Sequence, residues 1–217
     1  MEHQYELRDV LVRSTKNFGI DLTNEQVEQF VLYLAELVHW NKITNLTGIT
    51  DPLEVTGKHF VDSLTALTAL DFPTRAVVLD VGAGAGFPGI PLKIARKDLE
   101  LILIEPAKKK CSFLSSIIGR LKLRDVSVFV GNIRQYVAQT EYRLGDIIVT
   151  RGLGLNEIQE QVEAALNKEG KLVLYRTGRM SKELPVPGLK VLSETNFTLP
   201  LNYGNRVVSV MVKSGPE

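Results

Sequence analysis

The run DVGAGAGFPGIP at residues 80–91 begins on the last two residues of the short apolar stretch AVVLDV at 76–81. A glycine-rich turn at the end of a buried strand brings backbone close to a ligand, and the ligand is usually a nucleotide. Which nucleotide depends on what surrounds the glycines. Gly84-Ala85-Gly86-Phe87-Pro88-Gly89 matches G-x-G-x-x-G, the letters of a dinucleotide fingerprint,. Asp80 stands two residues before the first glycine, Gly82. A carboxylate there repels a pyrophosphate and favours a ligand carrying an amine. The loop also lacks the Gly-Lys-Ser/Thr ending that positions a lysine on a γ-phosphate. These constraints describe a nucleoside without phosphates, and S-adenosylmethionine, an adenosine with an ammonium group, satisfies them. Asp80 then faces the methionine end, directly or through water. Glu105 lies 25 residues on, near the spacing of an acid that binds ribose hydroxyls,.

The flanking sequence supports the same architecture. Apolar runs at 99–105, 126–131, 146–150 and 171–176 read as strands, and the segments near 88–96, 108–121 and 156–166 read as helices,. Strands alternating with helices imply a parallel sheet with right-handed crossovers. The last two strands, 189–194 and 206–212, follow each other without a helix and suggest a hairpin. The first 70 residues read as helical. In VEQFVLYLAELV the apolar positions follow the helical period, Thr23 and Gln26 form a capping-box pattern, and Asp51-Pro52 resembles an N-cap followed by proline,. A further helix then runs, with a break, to Leu70. The expected fold is α/β: a Rossmann-like, doubly wound, mostly parallel sheet with a terminal antiparallel strand, as in class I S-adenosylmethionine-dependent methyltransferases. The expected division is a helical cap at 1–75 and a methyltransferase domain at 76–217.

The chain has 217 residues and a net charge of +1, which conceals an asymmetry. Residues 1–75 carry a charge of −5, and residues 76–217 carry +6. The second part has the charge to meet a polyanion locally, although the whole chain is not a basic nucleic-acid coat. A single cysteine, Cys111, excludes an internal disulfide and a multi-cysteine zinc site, and reads as a packed side chain,. No metal is expected. No apolar run has the length of a membrane span and no signal peptide is evident,. The chain therefore reads as cytoplasmic, with no membrane partner and as a monomer.

The residues also constrain the methyl acceptor. A cytosine-C5 enzyme requires a nucleophilic cysteine, and Cys111 lies within a predicted helix, not at a strand end. Enzymes acting on exocyclic amines commonly carry Asn/Asp-Pro-Pro-Tyr/Phe after the fourth strand. Here the sequence is Thr150-Arg151-Gly152-Leu153. A cation in that place suits a nucleophile that needs no deprotonation, such as guanine N7. Arg151 has the donors to bond guanine O6 or a phosphate, or to orient the cofactor's surroundings; the alternative is a salt bridge closing the domain. Arg176, ending the fifth strand, is a second candidate. Lys108, Lys109 and Lys110 read as solvated helix-start residues or as phosphate contacts.

The sequence resembles the bacterial glucose-inhibited division protein B family, the small-subunit ribosomal RNA guanine-N7 methyltransferases, from about Trp40 to Lys213. Trp40-Asn41-Lys42 with Asn45-Leu46-Thr47 is similar to its W-N-K-x-x-N-L-T. Lys58-His59 with Asp62-Ser63 resembles R-H-x-x-D-S, and residues 80–91 resemble D-x-G-x-G-x-G-[FL]-P-G-[IL]-P. Lys109-Lys110-x-x-Phe113-Leu114 and the closing strand Arg206–Lys213 add to the likeness. The resemblance implies S-adenosylmethionine as cofactor and 16S rRNA, free or in an assembling small ribosomal subunit, as substrate. The implied target is N7 of the guanosine at nucleotide 527. To Asp80, Gly84, Gly86 and Glu105, read above as holding the cofactor, the resemblance adds Gly82, Phe87, Ile133, Arg134 and Arg151. Arg151 is the implied catalytic residue, and Asn45, His59 and Arg176 are candidate substrate contacts. Asn132-Ile133-Arg134 departs from the family's usual Arg-Ala/Val-Glu, which leaves only a backbone role for Ile133 and Arg134. Two other readings use the same residues: a small-molecule methyltransferase of this fold, or a non-catalytic rRNA- or ribosome-binding relative.

Overall fold

Strand β1 (Val77–Val81) is buried along its whole length, as an apolar run without alternation predicts for a strand covered on both faces. The computed structural model describes residues 2–180 and 186–214. In it, β1 pairs in parallel with β2 (Glu100–Glu105) and with β4 (Gly145–Arg151). Strand β3 (Val126–Val130) extends one side and β5 (Leu166–Arg176) the other, both parallel. The hairpin β6 (Leu189–Thr198) and β7 (Asn205–Lys213) completes a sheet in the order β3-β2-β1-β4-β5-β7-β6 among the described residues. β7 is antiparallel to both neighbours. The antiparallel strand is thus the last in the chain but lies inside the sheet, between β5 and β6.

Alternate residues of the strands serve two cores. Val78, Leu101, Val149 and Val173 pack with helices α1 (Glu2–Asn17), α2 (Asn24–Thr44), α6 (Gly89–Ala95) and α7 (Lys108–Arg120). Leu79, Ile104, Ile148 and Leu172 pack on the other face with α8 (Ile133–Val137) and α9 (Leu155–Ala165). The N-terminal helices therefore share one continuous core with the sheet. No helix among the described residues is long and apolar enough to cross a membrane.

Thr23 caps α2, and Gln26 completes the capping box by accepting from the Thr23 N–H at 2.8 Å; such a cap contributes about 1 kcal/mol. Asp51 caps α3 (Pro52–Val55) through the Leu53 and Glu54 N–H groups. The helical run to Leu70 differs from the sequence expectation in form. A π-helix over Thr56–Val61 joins α3 to α4 (Asp62–Leu64), and α5 (Ala66–Ala69) follows. π-Turns widen a helix locally and recur at functional sites. Helix α8 is also absent from the sequence reading. Asn132 caps it in a second capping box with Gln135, so the residue that departs from the family pattern has a structural task.

Candidate active site

The strand order reverses between β1 and β4. Crossovers leave that point in opposite directions, so their loops part and leave a crevice at the carboxyl ends of the two strands. The glycine loop leaves β1 there, and Arg151 ends β4 beside it. Thr150 Oγ1 donates to the Val81 carbonyl at 2.9 Å, which locks the two strand ends together.

Asp80 lies beneath the loop with no exposure, and its Oδ2 accepts from the Gly89 N–H at 2.8 Å. A side chain at Gly89 would come within 2.7 Å of that oxygen, so glycine is required for the approach. Burial pushes the Asp80 carboxyl up to about 7, against the opposing effects of the Gly89 N–H and Arg151. Its Oδ1 is buried and has no partner among the described residues. Glu105 ends β2. Its Oε2 accepts from the Gly84 N–H and its Oε1 from the Ala107 N–H, each at 2.9 Å. Each oxygen keeps a second lone pair, enough to receive a hydroxyl. Gly82 has φ +76°, and the Leu153 side chain lies over its α-carbon. The Gly86 N–H donates to the Ala83 carbonyl at 2.7 Å. Tyr33, from α2, donates its hydroxyl to the Ala85 carbonyl and holds the loop from the side of the N-terminal helices.

These residues fit an S-adenosylmethionine. A carboxylate with open lone pairs closes β2, an unsatisfied acceptor lies at the end of β1, and a left-handed glycine between them admits a ligand where any Cβ would intrude.

Arg151 is held from above by the π-helix. Its Nη1 donates to Asp62 Oδ2 at 3.0 Å and to the Lys58 carbonyl at 3.2 Å. Its Nη2 lies 3.1 Å from His59 Nδ1. The same Nδ1 lies 3.1 Å from the Lys58 carbonyl, and Nε2 lies 2.9 Å from Thr47 Oγ1, so both ring nitrogens have polar partners. The His59 ring stacks on Phe87 with centroids 4.6 Å apart, and the Arg151 guanidinium lies over the same Phe87 ring at 5.4 Å. Asn41 shapes the turn that carries Thr47: its Oδ1 accepts from the Leu46 and Thr47 N–H groups. Asn45 caps α2 in the left-handed region at φ 51°, a conformation that asparagine tolerates better than most residues,.

Burial, and then the Arg151 guanidinium, push the His59 imidazole down to about 3. An unfolded histidine titrates near pH 6.5. As pH falls from about 6.5 toward 3, the unfolded chain therefore binds a proton that the folded chain refuses, and stability is lost across that window. His59→Gln should show a smaller loss than the parent between about pH 7 and pH 4.5. Urea unfolding of both proteins at the two pH values measures this, and equal losses would mean that His59 titrates normally.

The structure gathers Asp80, Gly82, Gly84, Gly86, Phe87, Glu105, His59 and Arg151 around one crevice. Asn45 is exposed at the end of α2 and connects to it through the Thr47 turn. Arg176 donates to the Gly178 carbonyl at 3.2 Å and joins Arg151 and Arg206 around a cleft of about 360 Å³. Ile133 is buried in the core below α8. Arg134 is exposed and lines a surface cleft with Glu157 and Glu160. Cys111 is buried, with its Sγ donating to the Glu105 carbonyl at 3.0 Å. Sequence reasoning assigned no role to Tyr33, Asp62 or Arg206. Asp62 and Arg206 stood inside quoted motifs, but nothing local connects them. Their pairing spans 144 positions.

A doubly wound sheet in this order, with a glycine loop after β1, an acid closing β2 and a reversed last strand, defines the class I S-adenosylmethionine-dependent methyltransferases, and this protein is one of them. The chain resembles M. jannaschii TYW2, solved in complex with AdoMet, with a TM-score of 0.51 and 18% identity over 67% of this chain and 73% of that one. The family described as rRNA small subunit methyltransferase G matches residues 26–199. Ribosomal RNA small subunit methyltransferase G of Lachnoclostridium phytofermentans is 35% identical over 198 residues, covering 87% of this chain and 82% of that protein. The protein of the same name from Staphylococcus epidermidis is 36% identical over 204 residues, covering 90% and 85%. The chain belongs to the rRNA small subunit methyltransferase G family.

Proposed function

We propose that this rRNA methyltransferase places a methyl group on N7 of a guanosine, nucleotide 527 of 16S rRNA. The observation that carries the reading is Arg151, a fixed cation at the end of β4, where enzymes that must deprotonate an amine or attack a ring carry other groups. Guanine N7 presents its lone pair unaided, so alignment and electrostatics supply the catalysis. S-adenosylmethionine, when bound, supplies an electrophilic methyl group on a sulfonium. Asp80, Gly82, Gly84, Gly86 and Phe87 hold its methionine side, and Glu105 takes the ribose hydroxyls. The backbone of Ile133 and Arg134 borders the adenine. Arg151 donates to the base or its phosphate beside the reacting atom. His59, with both ring nitrogens committed, closes the helical segment 1–75 over the methyltransferase domain 76–217. Asn45 and Arg176 lie on the RNA side. The enzyme works as a monomer in the cytoplasm.

The test is methyl transfer from labelled S-adenosylmethionine to 16S rRNA or 30S particles lacking the modification, with the product mapped by 7-methylguanosine-specific cleavage. One new site at nucleotide 527 is the expected result. Transfer that is independent of salt and of RNA would point to a small metabolite, because binding to phosphates weakens as salt rises.

A further inference from the structure

We propose that Arg206, acting through Asp62, is a positioning residue for Arg151: it saturates the Asp62 carboxylate so that Arg151 keeps donors and charge for the substrate. The inference rests on the reading of Arg151 as the catalytic residue. Asp62, from α4, has a side chain with no solvent exposure and sits between two arginines from different strands. Arg206 grips it at two points, Nε to Oδ1 at 2.5 Å and Nη2 to Oδ2 at 3.0 Å. Arg151 reaches it at one point, Nη1 to Oδ2 at 3.0 Å. An arginine and a carboxylate left to themselves prefer the two-point fork. Arg206 already occupies that fork. Arg151 is therefore held by one bond to Asp62, one to the Lys58 carbonyl and one to His59. Of its five N–H groups, two have no partner among the described residues. One negative charge between two positive ones, beside a neutral His59, leaves the cluster with a net charge of +1. That charge borders the cleft that Arg151 and Arg206 line together.

Without Arg206, Oδ1 becomes free. Arg151 can then rotate into its own fork with Asp62, which withdraws its donors and neutralises its charge. Arg206 is the second residue of β7, and the place of that strand between β5 and β6 puts it within reach of a carboxylate on the N-terminal helices.

The test is a double-mutant cycle of Arg206→Met, Arg151→Met and the pair, read as kcat and KM for methyl transfer to unmodified 30S particles. Arg206→Met is expected to lower kcat by about tenfold or more, as small misplacements at a reacting centre do, with KM for the cofactor unchanged. The double variant should be no slower than Arg151→Met, because one residue acts through the other. Arg206→Lys keeps the charge but offers a single point of contact. It should lose kcat in the same direction, and it serves if the methionine variant folds poorly. Full activity in Arg206→Lys, or additive losses in the cycle, would overturn the proposal. So would a higher KM for the particles whose salt slope is smaller by about one unit, since Arg206 would then itself contact a phosphate. If Arg151→Met alone leaves kcat unchanged, the catalytic reading of Arg151 fails. Additive losses with a crippled Arg151→Met overturn the positioning role only.

Discussion

Gly82→Val should abolish cofactor binding, raising the dissociation constant for S-adenosylmethionine by at least about a hundredfold, or about 2.7 kcal/mol. Two effects act together. Gly82 has φ +76°, a region that a β-branched residue enters only under strain of about 1–3 kcal/mol,. The new side chain also fills the space above the loop, where a Cβ already comes within 2.6 Å of Leu153 Cδ1. Leu153 is partly exposed and can move aside; a ligand bound against the α-carbon cannot. Gly19 offers the control, because it has φ +75° with nothing near its α-carbon and lies away from the crevice. Gly19→Val should bear the same backbone strain while leaving the binding enthalpy and affinity unchanged. Titration calorimetry of both variants decides the matter: an unaltered affinity in Gly82→Val would remove the loop from the cofactor site.

The largest loss of stability is expected from Asp62→Ala. Its removal leaves the Arg151 and Arg206 guanidiniums facing each other, with side chains only 17% and 15% exposed. Breaking a buried pair from one side costs about 3–5 kcal/mol. Both arginines retain some access to water, which favours the lower end. About 3 kcal/mol corresponds to a fall in Tm of roughly 6–12 °C for a chain of this size. Glu25→Ala, which removes an ion pair whose side chains are 70% and 53% exposed, should leave Tm unchanged,. Thermal melts of the two variants provide the comparison. A small shift in Asp62→Ala would show that the two arginines find other partners or water without cost.

Much of this site was readable from the sequence, because the signals are local. Val77 to Asp80 announce a strand buried on both faces, and the glycines after it announce a backbone that approaches a ligand. Asp80 and Glu105 end adjacent parallel strands, so a spacing of 25 residues was enough to bring them to the same crevice. The caps at Thr23 and Asp51 were equally plain, since each bonds within three residues. Asn132 shows the limit of pattern matching. Judged by its family motif it was a departure, whereas its local capping box with Gln135 was a sufficient reason for it.

What the sequence by itself determined, then, is the strands, most of the helices, the glycine-rich loop at the end of β1 and the charge of Arg151. These follow from periodicities of two and 3.6 residues and from backbone preferences that act over a single turn. Only the tertiary structure decided how Arg151 is held. Asp62 comes from a helix broken by a π-turn, and Arg206 from a strand inserted between two others. The pairs Arg151–Asp62 and Arg206–Asp62 span 89 and 144 positions. No propensity acts over such distances. Strand order and the packing of the N-terminal helices on the sheet bring these charges together, and burial then makes their pairing obligatory.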